Sequence, residues 1–412
     1  MFARKLTIPA RSQPKAAQPK VLSRALLLLS LPFVAISCAS GPTAAERVAM
    51  AKRADLETAG LQQNLAVEYQ SERKLDKAEP LYLEALAIYQ RVLGEEATET
   101  ALTKSNLASL YQTDARNNEA EPLYRDALET QRQLLGENSI EAAWSMTSLG
   151  SLLTNRGSYA EAEPLLTESL LTHRTLLDEN DARTAIALRN LAAWHSAQND
   201  FMKAVPLLTR SLKIQRAALS NTHIETGATA AKLARVFGEL SRFDEAYPLA
   251  HEALSIHEWA LGDNNPLTAR IRNGLGALYW RQGRYDEAQP LYERSLHDQE
   301  IALGRSHPDT AITMQYLALV HQDQGRPNVA LRLLSEALVI GRNTYGDEHP
   351  STASTLYNLG VIYTSQGQTS KARPYFTEAM TINRRVLGMQ HPMTRRIQHA
   401  LNQINGVVAS NE

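Results

Sequence analysis

The sequence predicts an all-α solenoid of helical hairpins, on three observations. Leu65, Leu107, Leu149, Leu191, Leu233, Leu275, Leu317, Leu359 and Leu401 recur every 42 residues with no insertion or deletion. The same shift aligns Ala78, Ala120, Ala162, Ala204, Ala246, Ala288, Ala330 and Ala372. It also aligns Pro80, Pro122, Pro164, Pro206, Pro248, Pro290 and Pro374, with Arg332 alone breaking that column. Leu and Ala dominate while aromatics make up 6% of the chain, a balance that favours helix over strand. Self-similarity at such a period marks a linear array of one supersecondary unit.

Each unit reads as two helices. In the sixth, helix A is predicted over Pro266 to Arg281, where Ile271, Leu275, Leu278 and Tyr279 form an apolar stripe at 3–4 spacing. Gly283 ends it, as Gly157, Gly325, Gly367 or Asn199 do in sister units; these residues tolerate a left-handed helix C-cap. Asp286 suits the N-cap of helix B, with Gln289 completing a capping box. Pro290 falls in or just past the first turn, where a missing N–H costs little. Helix B then carries Ala288, Leu291, Tyr292, Ser295, Leu296 and Ile301, and Gly304 closes it; the small residues at 288 and 295 permit close helix approach. The units after it open with His307-Pro308, His349-Pro350 and His391-Pro392, with Asn265-Pro266 as the variant. Proline is pre-organised for the first helical position and keeps its predecessor out of the helix, so these histidines read as turn residues and not as metal ligands. Arg73, Ala115 and Ser241 replace the turn glycine, and Asp178 and Ser220 the closing glycine, so those units are expected to fray more.

The columns of Leu65, Ala66, Tyr69, Ala78, Tyr82 and Ala85 resemble the tetratricopeptide repeat (TPR) signature. The longer period and the Asn-Leu-Ala runs at Asn64, Asn106 and Asn190 are similar to its kinesin light chain-like subclass. The resemblance covers about residues 56–406. It implies a right-handed superhelical solenoid whose concave wall, lined mainly by helices A, binds other polypeptides.

The N-terminal segment carries a different message. Arg4, Lys5, Arg11, Lys15, Lys20 and Arg24, with no acidic residue among them, precede the apolar run Ala25 to Ile36. A basic stretch, a short apolar core and small residues beyond it make a secretory signal peptide, and the core falls short of the ~20 residues that span a bilayer. Initiation at Val21 would leave only Val21-Leu-Ser-Arg24 ahead of that core. Val34-Ala35-Ile36-Ser37-Cys38 resembles a bacterial lipobox, with Ala35 where leucine is usual. That resemblance implies a lipid on Cys38, the sole cysteine, and Ala39 in place of an aspartate implies passage to the periplasmic face of the outer membrane. Two or more acyl chains anchor stably. The expected organisation is a lipoprotein signal peptide over 1–37, a tether and N-terminal cap helix over 38–55, eight units over 56–388, a capping helix over 389–406 and a disordered tail over 407–412.

Lys+Arg 43 against Asp+Glu 44 gives no basic excess of the kind that phosphate neutralisation demands, so no nucleic-acid partner is expected. No His-Glu-x-x-His, phosphate-binding glycine loop or nucleophile–base pairing stands out, so neither catalysis, nor a cofactor, nor a small-molecule substrate is expected. The remaining surface is the helix A wall. It reads as polar and uncharged at its ends, with Asn64, Asn106 and Asn358. Its middle is basic, with Arg189, Asn190, Lys232, Arg235, Arg270, Asn273, Trp280 and Arg281. Trp144 falls on this wall, whereas Trp194 falls in the core column. Arginines pair well with carboxylates, and a tryptophan supplies an apolar anchor, so one reading of units four to six is a seat for a peptide or protein segment that is acidic or ends in a free carboxylate; the other is an ordinary solvated helix face. The rival readings are a self-associating structural component of the envelope and a cytoplasmic adaptor whose N-terminus is misassigned.

Overall fold

The computed structural model describes residues 42–71, 74–114 and 116–409. The signal peptide, Cys38, Arg73, Ala115 and residues 410–412 lie outside the described residues. Two compact units are distinguished, 1–50 and 51–412, and the packing below concerns the second. Seventeen helices and no strand occur among the described residues. The helices A are α1 (Ala44–Ser71), α3 (Thr98–Thr113), α5 (Ile140–Arg156), α7 (Ala182–Ala197), α9 (Ile224–Glu239), α11 (Pro266–Arg281), α13 (Pro308–Asp323), α15 (Pro350–Ser365) and α17 (Pro392–Ala409). The helices B are α2 (Leu75–Leu93), α4 (Asn117–Leu135), α6 (Tyr159–Leu176), α8 (Phe201–Ala218), α10 (Phe243–Leu261), α12 (Tyr285–Leu303), α14 (Pro327–Tyr345) and α16 (Thr369–Val386).

Each hairpin packs on the next, which is what a unit too small for its own core requires. The leucine column forms the seam: Leu107, Leu149, Leu233, Leu275, Leu317 and Leu359 are buried, whereas Leu65 of the first unit is 40% exposed. The alanine column of helix B, Ala78 through Ala372, is fully buried. Close approach is needed where a glycine of helix A faces a large side chain of helix B. A methyl at Gly360 would meet the Phe376 ring at 2.6 Å, and one at Gly150 would meet Leu166 at 2.7 Å. The small position at 295 has a polar use as well. Ser295 Oγ donates to the Ala269 carbonyl at 3.0 Å, as Ser169 does to Ala143 and Ser211 to Ala185 at 2.7 Å.

The turns follow the expected chemistry with two differences. Gly157, Gly283, Gly325 and Gly367 adopt positive φ, and so do Asn199 (60°) and Ser241 (57°) where glycine is missing. The prolyl histidines do more than turn the chain. Nδ1 of His307, His349 and His391 accepts the N–H two residues on, at 3.1, 3.1 and 3.2 Å, and Asn265 Oδ1 does the same at 2.9 Å. Asp286 is not the N-cap of α12. The helix opens at Tyr285 with Arg284 before it, and the Arg284 guanidinium clamps Glu287 instead, as Arg116 clamps Glu119 and Arg242 clamps Glu245. Pro290 is therefore a full turn inside the helix, on an exposed flank where water can serve the carbonyl left without its N–H.

Curvature follows from how the two rows of helices meet. Successive helices A pack directly, as α5 does on α7 and α9 on α11. Successive helices B are bridged by long side chains, with Arg132–Glu168 at 3.0 Å, Arg216–Glu252 at 2.7 Å and Arg342–Glu378 in equivalent positions. The helices A thus take the shorter, inner path. Farther along, one turn of the array meets an earlier one. The Tyr159 and His391 rings stack at 5.9 Å, and His391 Nε2 lies 3.4 Å from the Ala197 carbonyl. A methyl at Gly157 would touch Leu387, Val386 and Pro350.

Candidate functional site

The inner wall consists of the helix A positions turned away from the leucine seam. Many of its polar groups tie each helix A to the next. Gln70 donates to Ser109 at 3.2 Å, Ser105 bonds Ser145 at 3.0 Å, and Gln322 donates to Ser365 at 2.7 Å. This ladder claims several residues expected to face a ligand. Asn273 is only 3% exposed and donates to Thr313 at 2.6 Å, because its column points between neighbouring helices and not into the open groove. Asn190 Nδ2 bonds back to the Ile186 carbonyl at 3.0 Å. Trp280 Nε1 donates to Asp323 at 2.7 Å, Arg281 pairs with Glu239, and Arg189 pairs with Glu225.

What stays open lies in two places. Asn64 is exposed, and Asn106 and Asn358 are half-buried. Asn106 lines a cavity of about 880 Å³, to which Gln70 and Trp144 of the first three units contribute. Arg270, His307 and His349 of the sixth to eighth units line its other side, so units far apart in the chain face one another across it. Trp144, 41% exposed, stands on this wall, and Trp194, 7% exposed, is buried with its Nε1 on the Tyr159 carbonyl.

The second place is the basic centre. Arg235 and Arg270 are exposed to the groove and Lys232 is half-buried between them. None of the three has an ion-pair partner among the described residues. A curved wall surrounds a side chain with protein while still leaving it accessible, and here the neighbours are cations. Burial, then Arg189, Arg235 and Arg270, push the Lys232 ammonium down to about 7. Tyr316, which feels the charge of Arg235, is pushed up by burial.

Sequence reasoning missed two features. Arg272 is 2% exposed, with Nη1 on Asp298 at 2.9 Å and Nη2 on the Asp263 carbonyl at 2.9 Å. Lys104 occupies the same column in the second unit and binds Glu95 and Asp126 at 2.9 and 2.7 Å. The signal was available, since between the first unit and the capping helix, where Gln62 and Gln398 stand, the column otherwise holds Met146, Leu188, Ala230, Met314 and Leu356. The contact between turns had no signal, because periodicity reports neighbouring units only. Among the described residues no three histidine, cysteine, aspartate or glutamate side chains gather as a metal site would, and no helix is long and apolar enough to cross a membrane.

Hairpins at this period on one continuous seam define a class of repeat protein. The tetratricopeptide repeat family model matches residues 57–133, 99–170, 141–217, 225–300 and 309–385. The chain belongs to the tetratricopeptide repeat family. Among solved structures it is similar to nearly identical TPR-like repeats of a Podosopora anserina protein described as a kinesin light chain, at 24% identity, covering 49% of this chain and 95% of that one, with a TM-score of 0.40. BtubC (BKLC) from P. vanneervenii shares 22% identity over 60% of this chain and 92% of that one, with a TM-score of 0.42. A Rap protein complexed with Competence and Sporulation Factor shares 13% identity over 80% of this chain and 98% of that one, with a TM-score of 0.56. No curated protein matches.

Proposed function

We propose that this chain is a lipid-anchored scaffold of the bacterial envelope that holds an acidic segment of another protein against the inner wall of units four to six, with no covalent step. The observation that carries the reading is the set of three cations, Lys232, Arg235 and Arg270, left without carboxylate partners on a wall where other arginines are paired. Unpaired charges gathered on one wall favour an anionic partner. Asn64, Asn106 and Asn358 offer amides for its backbone, and Trp144 offers an apolar face across the cavity. The Rap protein of similar fold, complexed with Competence and Sporulation Factor, is in keeping with a protein or peptide ligand. Anchoring rests on the lipobox-like sequence at Cys38 and places the array at the periplasmic face of the outer membrane.

The test is affinity capture from solubilised envelopes with the wild-type chain and with Arg235→Glu/Arg270→Glu. Loss of the partner with unchanged far-UV circular dichroism supports the reading, and undiminished capture sinks it. Palmitate labelling that disappears in Cys38→Ser checks the anchor. A second reading is favoured by Trp259 and Ile301, 77% and 74% exposed at equivalent positions of α10 and α12. These would serve self-association, and a homo-oligomer in light scattering that Trp259→Ser dissolves would support it.

A further inference from the structure

If the inner wall receives a partner segment, the arrangement of its charges says which group that segment presents, and this step rests on the reading above. Lys232 and Arg235 lie three residues apart on α9, which packs directly against α11, the helix of Arg270, and against α7, the helix of Arg189. Arg235 and Arg270 are exposed and Lys232 is half-buried, and the three arginines all act electrostatically on Lys232. Glu225 answers Arg189 through an ion pair, so the charge left over is that of Lys232, Arg235 and Arg270. The other groups near these cations are Tyr316 of α13, and Glu239, which is engaged by Arg281. Like charges gathered on one part of the inner wall repel one another, and a compact anion seated among them turns that repulsion into attraction.

The number of cations selects the anion. One carboxylate brings a single charge and two oxygens, which leaves a cation unanswered. A phosphate monoester carries close to two charges at neutral pH and three strong acceptor oxygens, enough for one donor from each side chain. We propose that Lys232, Arg235 and Arg270 seat a phosphate monoester carried on a side chain of the bound partner. Because the Lys232 ammonium is pushed down to about 7 in the free protein, part of the seat's charge is acquired only when the anion arrives. Binding therefore takes up a proton, and affinity declines above neutral pH even though the phosphate is then fully ionised.

The test is calorimetric titration of the purified full-length chain with the peptide acetyl-Ala-Ala-phosphoserine-Ala-Ala-amide, its serine and glutamate counterparts, and inorganic phosphate. The phosphopeptide is expected to bind at least about tenfold tighter than the glutamate peptide, with Arg235→Gln and Arg270→Gln each lowering affinity about tenfold. Arg373→Gln, on the exposed flank of α16, should not alter binding. Between pH 7 and 8.5 the affinity should fall by about tenfold, and Lys232→Arg, whose charge is permanent, should lack that fall. A phosphopeptide bound no more tightly than its serine or glutamate counterpart overturns the inference, and so does binding indifferent to Arg235→Gln and Arg270→Gln. Inorganic phosphate binding as tightly as the phosphopeptide would make the ligand a free ion and overturn the assignment to a partner's side chain. The groove reading stands or falls on the capture experiment. If the glutamate peptide equals the phosphopeptide while charge reversal still abolishes capture, only the phosphate inference fails. If capture survives charge reversal, the groove reading fails.

Discussion

His349 makes the array sensitive to acid at a defined place. Its Nδ1 caps α15 by accepting the Ser351 N–H, its ring stacks on Tyr345 at 4.6 Å, and Nε2 is buried with no partner among the described residues. Burial first, and Arg156 second, push its pKa from 6.5 down to about 4. Protonation would put a hydrogen on the capping nitrogen and a second positive charge near Arg156. The unfolded chain takes up that proton near pH 6.5 and the folded chain only near 4, so between these values the unfolded state binds more protons. The stability from the neutral ring is complete above pH 6.5 and is lost as the pH falls toward 4. At ~1.4 kcal/mol per pKa unit the full shift is worth roughly 3 kcal/mol, and partial solvent access reduces that to about 2 kcal/mol. The array supplies its own control: Asn265, at the same position, caps α11 without titrating. His349→Asn should match the wild type at pH 7.5 and exceed it by about 2 kcal/mol at pH 4.5. Repeat arrays need not unfold in two states, so urea denaturation should be paired with hydrogen exchange read at α14 and α15. Identical pH profiles for the two proteins would refute the reasoning.

Asp298→Ala leaves the buried Arg272 guanidinium with Asp263 and the more distant Glu258, at 3.9 Å, and should cost about 3 kcal/mol, most of it recovered in Arg272→Met/Asp298→Leu. A double-mutant cycle by urea unfolding would show this as strong coupling, and simple additivity would count against it. Gly360→Ala drives a methyl into the Phe376 ring and should destabilise by about 1–3 kcal/mol, whereas Gly274→Ala, with nothing within 4 Å, should stabilise by about 0.5–1 kcal/mol; calorimetric melting compares the two. Lys232 titrates near 7 when folded and near 10.5 when unfolded, so wild-type stability should rise from pH 7 to 10. Urea midpoints of Lys232→Met should lack that rise.

The fold was readable because it is written many times over. A period without insertion turns each column into repeated measurements of one environment, so the Leu107 and Ala78 columns announced the seam. Expectations failed where several residue types satisfy the same geometry. Asp286 with Gln289 has the composition of a capping box, but the Arg284–Glu287 clamp places the helix start one residue ahead of Asp286. Columns pointing between helices A and columns pointing into the groove both accept polar residues, so Asn273 could not be told from Asn106 by residue type. The stacking of Tyr159 on His391 lay beyond reach for a different reason. It depends on the accumulated rotation of several units, and a small change per unit is enough to bring those rings together or to separate them.

The two treatments of positive charge in this chain separate stability from function. Arg272 and Lys104 sit in a largely apolar column, and each is met by at least two acidic residues, so their burial is offset within the fold. On the helices B, Arg132 and Arg216 spend their charge on the next unit. Lys232, Arg235 and Arg270 have no such partners among the described residues, and burial first, then the neighbouring arginines, hold the Lys232 ammonium down. An apolar or neutral residue at 232 would satisfy the local packing rules better. Departures of this kind from what folding alone would choose concentrate where a protein does its work. On the reading proposed above, a partner's anionic group would complete what the inner wall of units five and six leaves unbalanced.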